Sequence, residues 1–189
     1  MKIVLLRHGK PKLPTFARLS ARDFSQWIDA YNHAPLDQTL PPPQSALAIA
    51  QSCSTVVCSD LRRSNDSAHR LGKINIDYID PIFREVDLPN AQIDWPKLSG
   101  NFWLVCFRIL WLLGYAPHCE SLVTAKKRAA MGAEKLQQLA EQTGSVIFVG
   151  HGFINKFIAQ SLLAKGWQGQ DSTKLNSHYW QFSVYELPK

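Results

Sequence analysis

Three short segments of this chain carry residue types suited to chemistry on a phosphate group. Arg7-His8-Gly9 joins a guanidinium, whose planar fork can hold two anionic oxygens, to an imidazole that attacks phosphorus when neutral. The glycine beside them lets backbone come close to an anion. Ser59-Asp60-Leu61-Arg62-Arg63 sets two arginines at the start of a predicted helix, where the helix terminus itself favours negative charge. Val149-Gly150-His151-Gly152 leaves a second imidazole between two glycines, with neighbouring amides free to face a ligand. Each segment alone is ordinary, since paired arginines are mostly solvated and a histidine at a strand end is mostly a hydrogen-bonded structural residue. Three of them at strand ends make a candidate site.

The strands that must deliver these residues are legible as apolar runs. Ile3-Val4-Leu5-Leu6, Thr55-Val56-Val57-Cys58 and Ser145-Val146-Ile147-Phe148-Val149 each run into one of the polar segments, as buried strands of a parallel sheet do. A weaker alternating stretch at 74–79 and an aromatic, β-branched stretch at 179–187 predict two more strands. Between them, Phe24, Trp27, Ile28 and Tyr31 recur at helical spacing, 41–52 offers prolines where a helix can begin, and 122–142 is the longest helical candidate. Strands alternating with helices predict an α/β fold: a three-layer α/β/α sandwich around a mostly parallel central sheet.

The order Arg-His-Gly, then Ser-x-Leu-x-Arg, then Gly-His-Gly resembles the histidine phosphatase, or phosphoglycerate-mutase-like, superfamily. Ala34-Pro35-Leu36-Asp37 with Gln44-Ser45-Ala46 is similar to the Pro-Leu and Gln-Ala elements between the family's first two motifs. Glu120-Ser121-Leu122 with Arg128 resembles its Glu-Ser-Leu helix start, and Leu175-Asn176-Ser177 its small-residue turn before the last strand. The resemblance spans nearly the whole chain and is weakest over 90–118. It implies that His8 is the nucleophile that becomes phosphohistidine. Arg7, Arg63 and His151 would surround the phosphoryl oxygens, with Gly9 and Gly152 completing the phosphate site. Arg63 fits the Ser-x-Leu-x-Arg spacing, and Arg62 is the second choice.

Protonating a departing alkoxide requires a carboxyl group or its equivalent. In much of the family a Glu follows the middle strand; Phe83-Arg84-Glu85-Val86-Asp87 stands there, so Glu85 is expected to be the general acid and Asp87 the alternative. Leu88-Pro89-Asn90 replaces the Gly and Trp that usually follow. Lys10-Pro11-Lys12 replaces the residues that hold a phosphorylated three-carbon acid in the mutases, which favours hydrolysis of a phosphate monoester over transfer to a second acceptor. Lys10 or Lys12 could instead attract an acidic group of a substrate. The alternatives are a mutase-type phosphoryl transferase and a module that binds phosphate without turnover.

The chain's 189 residues suit one domain over 1–189, with an apolar insertion at about 90–118. Within it, 101–115 is apolar nearly all round, interrupted by Arg108, and short of the ~20 residues a membrane span needs. It reads as a buried helix, with an active-site wall or a homodimer surface as the sharper options. The formal charge of +6 comes from scattered basic residues, and no basic run with interleaved aromatics points to nucleic acid. A small phosphate ester is therefore the expected partner, with a phosphoprotein the second class. Four cysteines without a Cys-x-x-Cys pair argue against structural metal, and the expected site needs no cofactor. Arg7 interrupts the first apolar run too early for a signal peptide, so a cytoplasmic location is expected.

Overall fold

The computed structural model describes residues 1–13, 18–171 and 178–188. The first strand, β1 (Lys2–Arg7), is apolar on both faces, and the structure buries both. Ile3 and Leu5 join one core cluster, whereas Val4 and Leu6 join another on the opposite side. Strand β2 (Thr55–Cys58) is likewise buried throughout, as is the apolar body of β4 (Ser145–Gly150), with Val146 and Phe148 in the first cluster and Ile147 and Val149 in the second. A side chain on each side of the sheet at alternate positions is what a strand covered by helices on both faces requires.

Among the described residues the sheet has six strands in the order β3-β2-β4-β1-β6-β5, where β3 is Tyr78–Ile79, β5 is Gln168–Gly169 and β6 is Phe182–Glu186. β4 runs parallel to both β1 and β2, with Arg7 beside Gly150 and Cys58 beside Val149. The ends of these three strands therefore coincide, and His8, Ser59 and His151 leave the sheet at one rim. β6 lies antiparallel to β1.

Helices α2 (Gln44–Gln51) and α3 (Arg62–Arg70) place Ala46, Ala50 and Ala68 in the second cluster. Helices α5 (Leu122–Thr143) and α6 (Gly152–Ala164) cover the other face with Ala125, Ala129, Ala133, Leu136, Ile154 and Ile158. The expected α/β/α sandwich is thus the observed one. Ser121 accepts the Thr124 amide at 3.2 Å to start α5, and Gly144, at φ 82°, ends it. α6 was not among the helices expected from periodicity; it is buried on several sides and has no single apolar stripe.

Two strand boundaries differ from expectation. The stretch at 74–79 contributes only Tyr78–Ile79, because Ile74 is 87% exposed and the Asp77 carboxylate accepts the Val56 amide just before pairing begins. The last strand starts at Phe182 instead of 179, because Trp180 adopts φ 64° and turns the chain.

Helix α1 (Phe24–His33) packs on α4 (Gly100–Leu112) in a third cluster, with the Phe24 and Phe107 rings stacked at 5.1 Å. The expectation of a buried α4 needs correction. Phe107 and Trp111 fill the inner side, but Phe102, Val105, Ile109 and Leu112 remain exposed, because only one side of this all-apolar helix meets the body. None of the helices among the described residues is long and apolar enough to cross a membrane.

Candidate active site

His8 follows directly on β1 and is 2% exposed. Its Nδ1 lies 2.7 Å from the Gly9 carbonyl oxygen. A carbonyl only accepts, so Nδ1 carries the ring proton and Nε2 keeps its lone pair, the state a nucleophile needs. Burial, and then the charge of Arg63, hold the His8 pKa well below the ordinary 6.5; the Gly9 bond works against this, and Arg7 adds a smaller lowering.

His151 follows β4 and stands at the N-terminus of α6, with its ring centroid 5.0 Å from that of His8. Its Nδ1 accepts from Arg63 Nε at 3.3 Å, and its Nε2 therefore donates to Ser59 Oγ at 2.7 Å. Burial and the Arg63 charge depress its pKa as well, with smaller contributions from His8 and Arg7.

The two arginines approach from different elements. Arg63 enters from the first turn of α3, 2% exposed, bonded by Nη1 to Asn32 Oδ1 at 2.7 Å and stacked over Tyr31 at 4.8 Å. Arg7 leaves β1 with its guanidinium 4.5 Å from the Tyr179 ring, and its buried Nε has no hydrogen-bond partner. A buried cationic donor without an acceptor is costly, and an anion would satisfy it.

Glu85 completes the rim. Its Oε1 accepts amides of Val86 at 2.9 Å, Phe153 at 3.2 Å and Ile154 at 3.1 Å, so the carboxylate sits on the first turn of α6. A Cβ added at Gly152 would stand 3.6 Å from Glu85 Oε2 and 3.8 Å from the Arg7 guanidinium, so both groups border the bare glycine backbone. Arg128 holds this segment in place, donating to the carbonyls of Ile82 at 2.6 Å and Arg84 at 2.9 Å while pairing with Glu120. Arg7, His8, Arg63, Glu85 and Gly152 line one cavity of about 430 Å³, together with Asp87.

A profile of the histidine phosphatase superfamily (branch 1) matches residues 44–188. The chain belongs to the histidine phosphatase superfamily. No curated protein matches it significantly. Among solved structures it is similar to YhfR of Bacillus stearothermophilus, with TM-score 0.61 and 15% identity over 98% of this chain and 94% of that one. A mycobacterial glucosyl-3-phosphoglycerate phosphatase has TM-score 0.60 and 22% identity over 97% and 90%. An Entamoeba histolytica phosphoserine phosphatase has TM-score 0.55 and 14% identity over 97% and 89%. At these identities the likeness is one of fold.

Within this superfamily site, several expected residues lie apart from the cavity. Arg62 points away, pairing with Asp66 at 3.2 Å on the surface. Gly9 was expected to complete the phosphate site, but it does not line the cavity and its amide is bonded to Ser67 Oγ at 2.8 Å. The glycine is needed for another reason, since a Cβ there would fall inside the Trp180 indole. Lys10 and Lys12 do not line the cavity, because their backbones pair with the 35–37 segment, where Asp37 N meets Lys10 O at 2.7 Å and Lys12 N meets Pro35 O at 2.8 Å. The Leu175-Asn176-Ser177 turn lies outside the described residues.

Conversely, Tyr31, Asn32, Tyr179 and Arg108 were not foreseen in the site. Tyr31 was visible only as part of a helical apolar stripe, and Tyr179 only as strand. Asp87, the alternative acid, has its pKa raised by crowding from surrounding protein and then by Glu120, with Arg128 and Arg84 opposing. It lies among those groups, whereas Glu85 acts on Arg63 beside the two histidines.

Proposed function

We propose that this chain is a phosphatase that hydrolyses a small phosphate monoester through a phosphohistidine on His8. The observation that carries the proposal is the free Nε2 of a neutral, buried His8 facing a cavity shared with Arg7 and Arg63. In the first step the Nε2 lone pair forms a bond to phosphorus as the ester P–O bond breaks, and protonated Glu85 delivers its proton to the departing oxygen. Arg7 and Arg63 hold the equatorial oxygens and offset the charge that spreads over them, and His151, which does not line the cavity, joins them by turning its Nε2–H from Ser59 Oγ to the phosphoryl group. In the second step water attacks phosphorus, Glu85 takes its proton, and the P–N bond breaks to restore His8 and release inorganic phosphate.

Hydrolysis is favoured over transfer to a second acceptor because the segment after Gly9 folds onto Pro35 instead of reaching the cavity. The phosphatases among the structural relatives agree with that reaction class. A cavity of about 430 Å³ also fits a small molecule better than a folded phosphoprotein. The decisive experiment incubates the protein with phenyl phosphate. Phosphate release by the wild type but not by His8→Ala, with acid-labile, base-stable phosphate trapped on the protein, is expected. Phosphate bound without turnover across a broad panel of esters would leave the non-catalytic module standing instead.

A further inference from the structure

Helix α4 carries one charged residue, Arg108, and the structure turns it into the cavity. Its guanidinium lies 4.2 Å from the centre of the Phe153 ring and 5.2 Å from that of Trp111. One nitrogen, Nη2, donates to the Val86 carbonyl at 3.1 Å. The other two, Nε and Nη1, are buried without any hydrogen-bond partner, and Arg108 makes no ion pair among the described residues. An apolar helix that retains a half-satisfied buried cation carries an unpaid desolvation cost, which an anionic ligand relieves.

A second cation stands close by. Lys156 lies one turn along α6 from Phe153 and lines the same cavity, with no hydrogen bond or ion pair among the described residues. Arg108 is set apart from the groups around His8. The charges acting on His8 are those of Arg63 and Arg7, whereas Arg108 interacts with Glu85, Asp87 and Glu120. Arg108 is therefore on the acid's side of the site, where the leaving half of a substrate must lie. Ile28, Val86, Leu88 and Leu104 line the cavity with apolar surface.

We infer that Arg108 and Lys156 form a second anion subsite, which binds a carboxylate or second phosphate carried on the apolar or aromatic leaving half of the substrate. Which half it holds rests on the phosphatase reading above. A guanidinium with two free donors matches either acid through paired hydrogen bonds.

The test measures binding with probes that cannot turn over: phenylphosphonate, 3- and 4-carboxyphenylphosphonate, and 1,4-phenylenebisphosphonate. The wild type is expected to bind at least one acidic probe about tenfold or more tighter than phenylphosphonate. In Arg108→Gln that preference should collapse to within about threefold, and Arg108→Lys should recover part of it. The carboxyl and bisphosphonate arms separate the two acids. If Arg108→Gln does not fold, Lys156→Gln supplies the same readout and should cut the preference at least about threefold. Equal affinities in the wild type, or a preference that survives in both Gln variants, overturn the subsite. Phosphate release from phenyl phosphate is read separately: no release with the preference intact sinks the phosphatase reading alone, and release without preference sinks the subsite alone.

Discussion

Arg63 donates its Nε–H to Nδ1 of His151 at 3.3 Å, and this contact decides which nitrogen of the second histidine holds the proton. A guanidinium only donates, so Nδ1 accepts and Nε2–H turns to Ser59 Oγ. One arginine thus fixes the tautomer of His151 and adds its charge to the burial that depresses the pKa of both histidines. Replacing Arg63 by Gln should lower kcat/KM for phenyl phosphate by about 100-fold or more, whereas Arg62→Gln should change it less than about threefold. Equal losses in the two variants would contradict the placement of Arg63 as the phosphate ligand.

The pH dependence of activity has a sign. In the proposed reaction His8 attacks when neutral, and burial with Arg63 holds its pKa well below 6.5, so the acidic limb of kcat/KM should fall well below that of an exposed histidine. Rate profiles measured from about pH 8 to about pH 4 check this. A limb centred at 6.5 or above would mean that His8 is not the group in its observed surroundings.

Stability should follow the same two rings. Their folded-state pKa values are depressed, so the unfolded chain binds more protons once pH drops below its own histidine value near 6.5. The stabilisation is complete above that pH and is lost progressively below it. Thermal melting should therefore shift downward between about pH 7 and about pH 5, with a shallower slope in His151→Asn. A melting temperature flat across that window would speak against two buried neutral imidazoles.

Glu85 and Asp87 can be separated by leaving group. A general acid matters most when the departing oxygen is a poor leaving group, so Glu85→Gln should slow an alkyl phosphate by about 100-fold or more and 4-nitrophenyl phosphate much less. Asp87→Asn should affect both modestly and alike. The reverse pattern would move the acid to Asp87, whose raised pKa suits the role but whose neighbours are Glu120, Arg128 and Arg84.

Gly9→Ala probes packing beneath His8. The new Cβ would enter the space of the Trp180 indole, which is held by its Nε1 bond to the Leu40 carbonyl at 3.1 Å. Unfolding by urea should show a loss of about 1–3 kcal/mol, with activity falling because His8 shifts. A neutral Gly9→Ala would show that Trp180 moves freely.

What the sequence by itself determined is the frame and which polar residues leave it together. The apolar runs before His8, Ser59 and His151 specify buried parallel strands, and strands in one register must release their last residues at one rim, so the histidines and Arg63 were legible without coordinates. Tertiary structure alone decided the rest. Tyr31, Asn32 and Tyr179 reach the site from a helix and a turn whose local patterns encode packing and not chemistry. Whether Gly9 offers its amide depended on a serine far along the chain, and Lys10 and Lys12 were displaced by pairing with the 35–37 segment. Arg108 looked like an interruption in an apolar helix until α4 packed against α1 and left it facing the cavity. Periodicity records which face of an element is buried; which distant groups that face then meets is set only when the layers close.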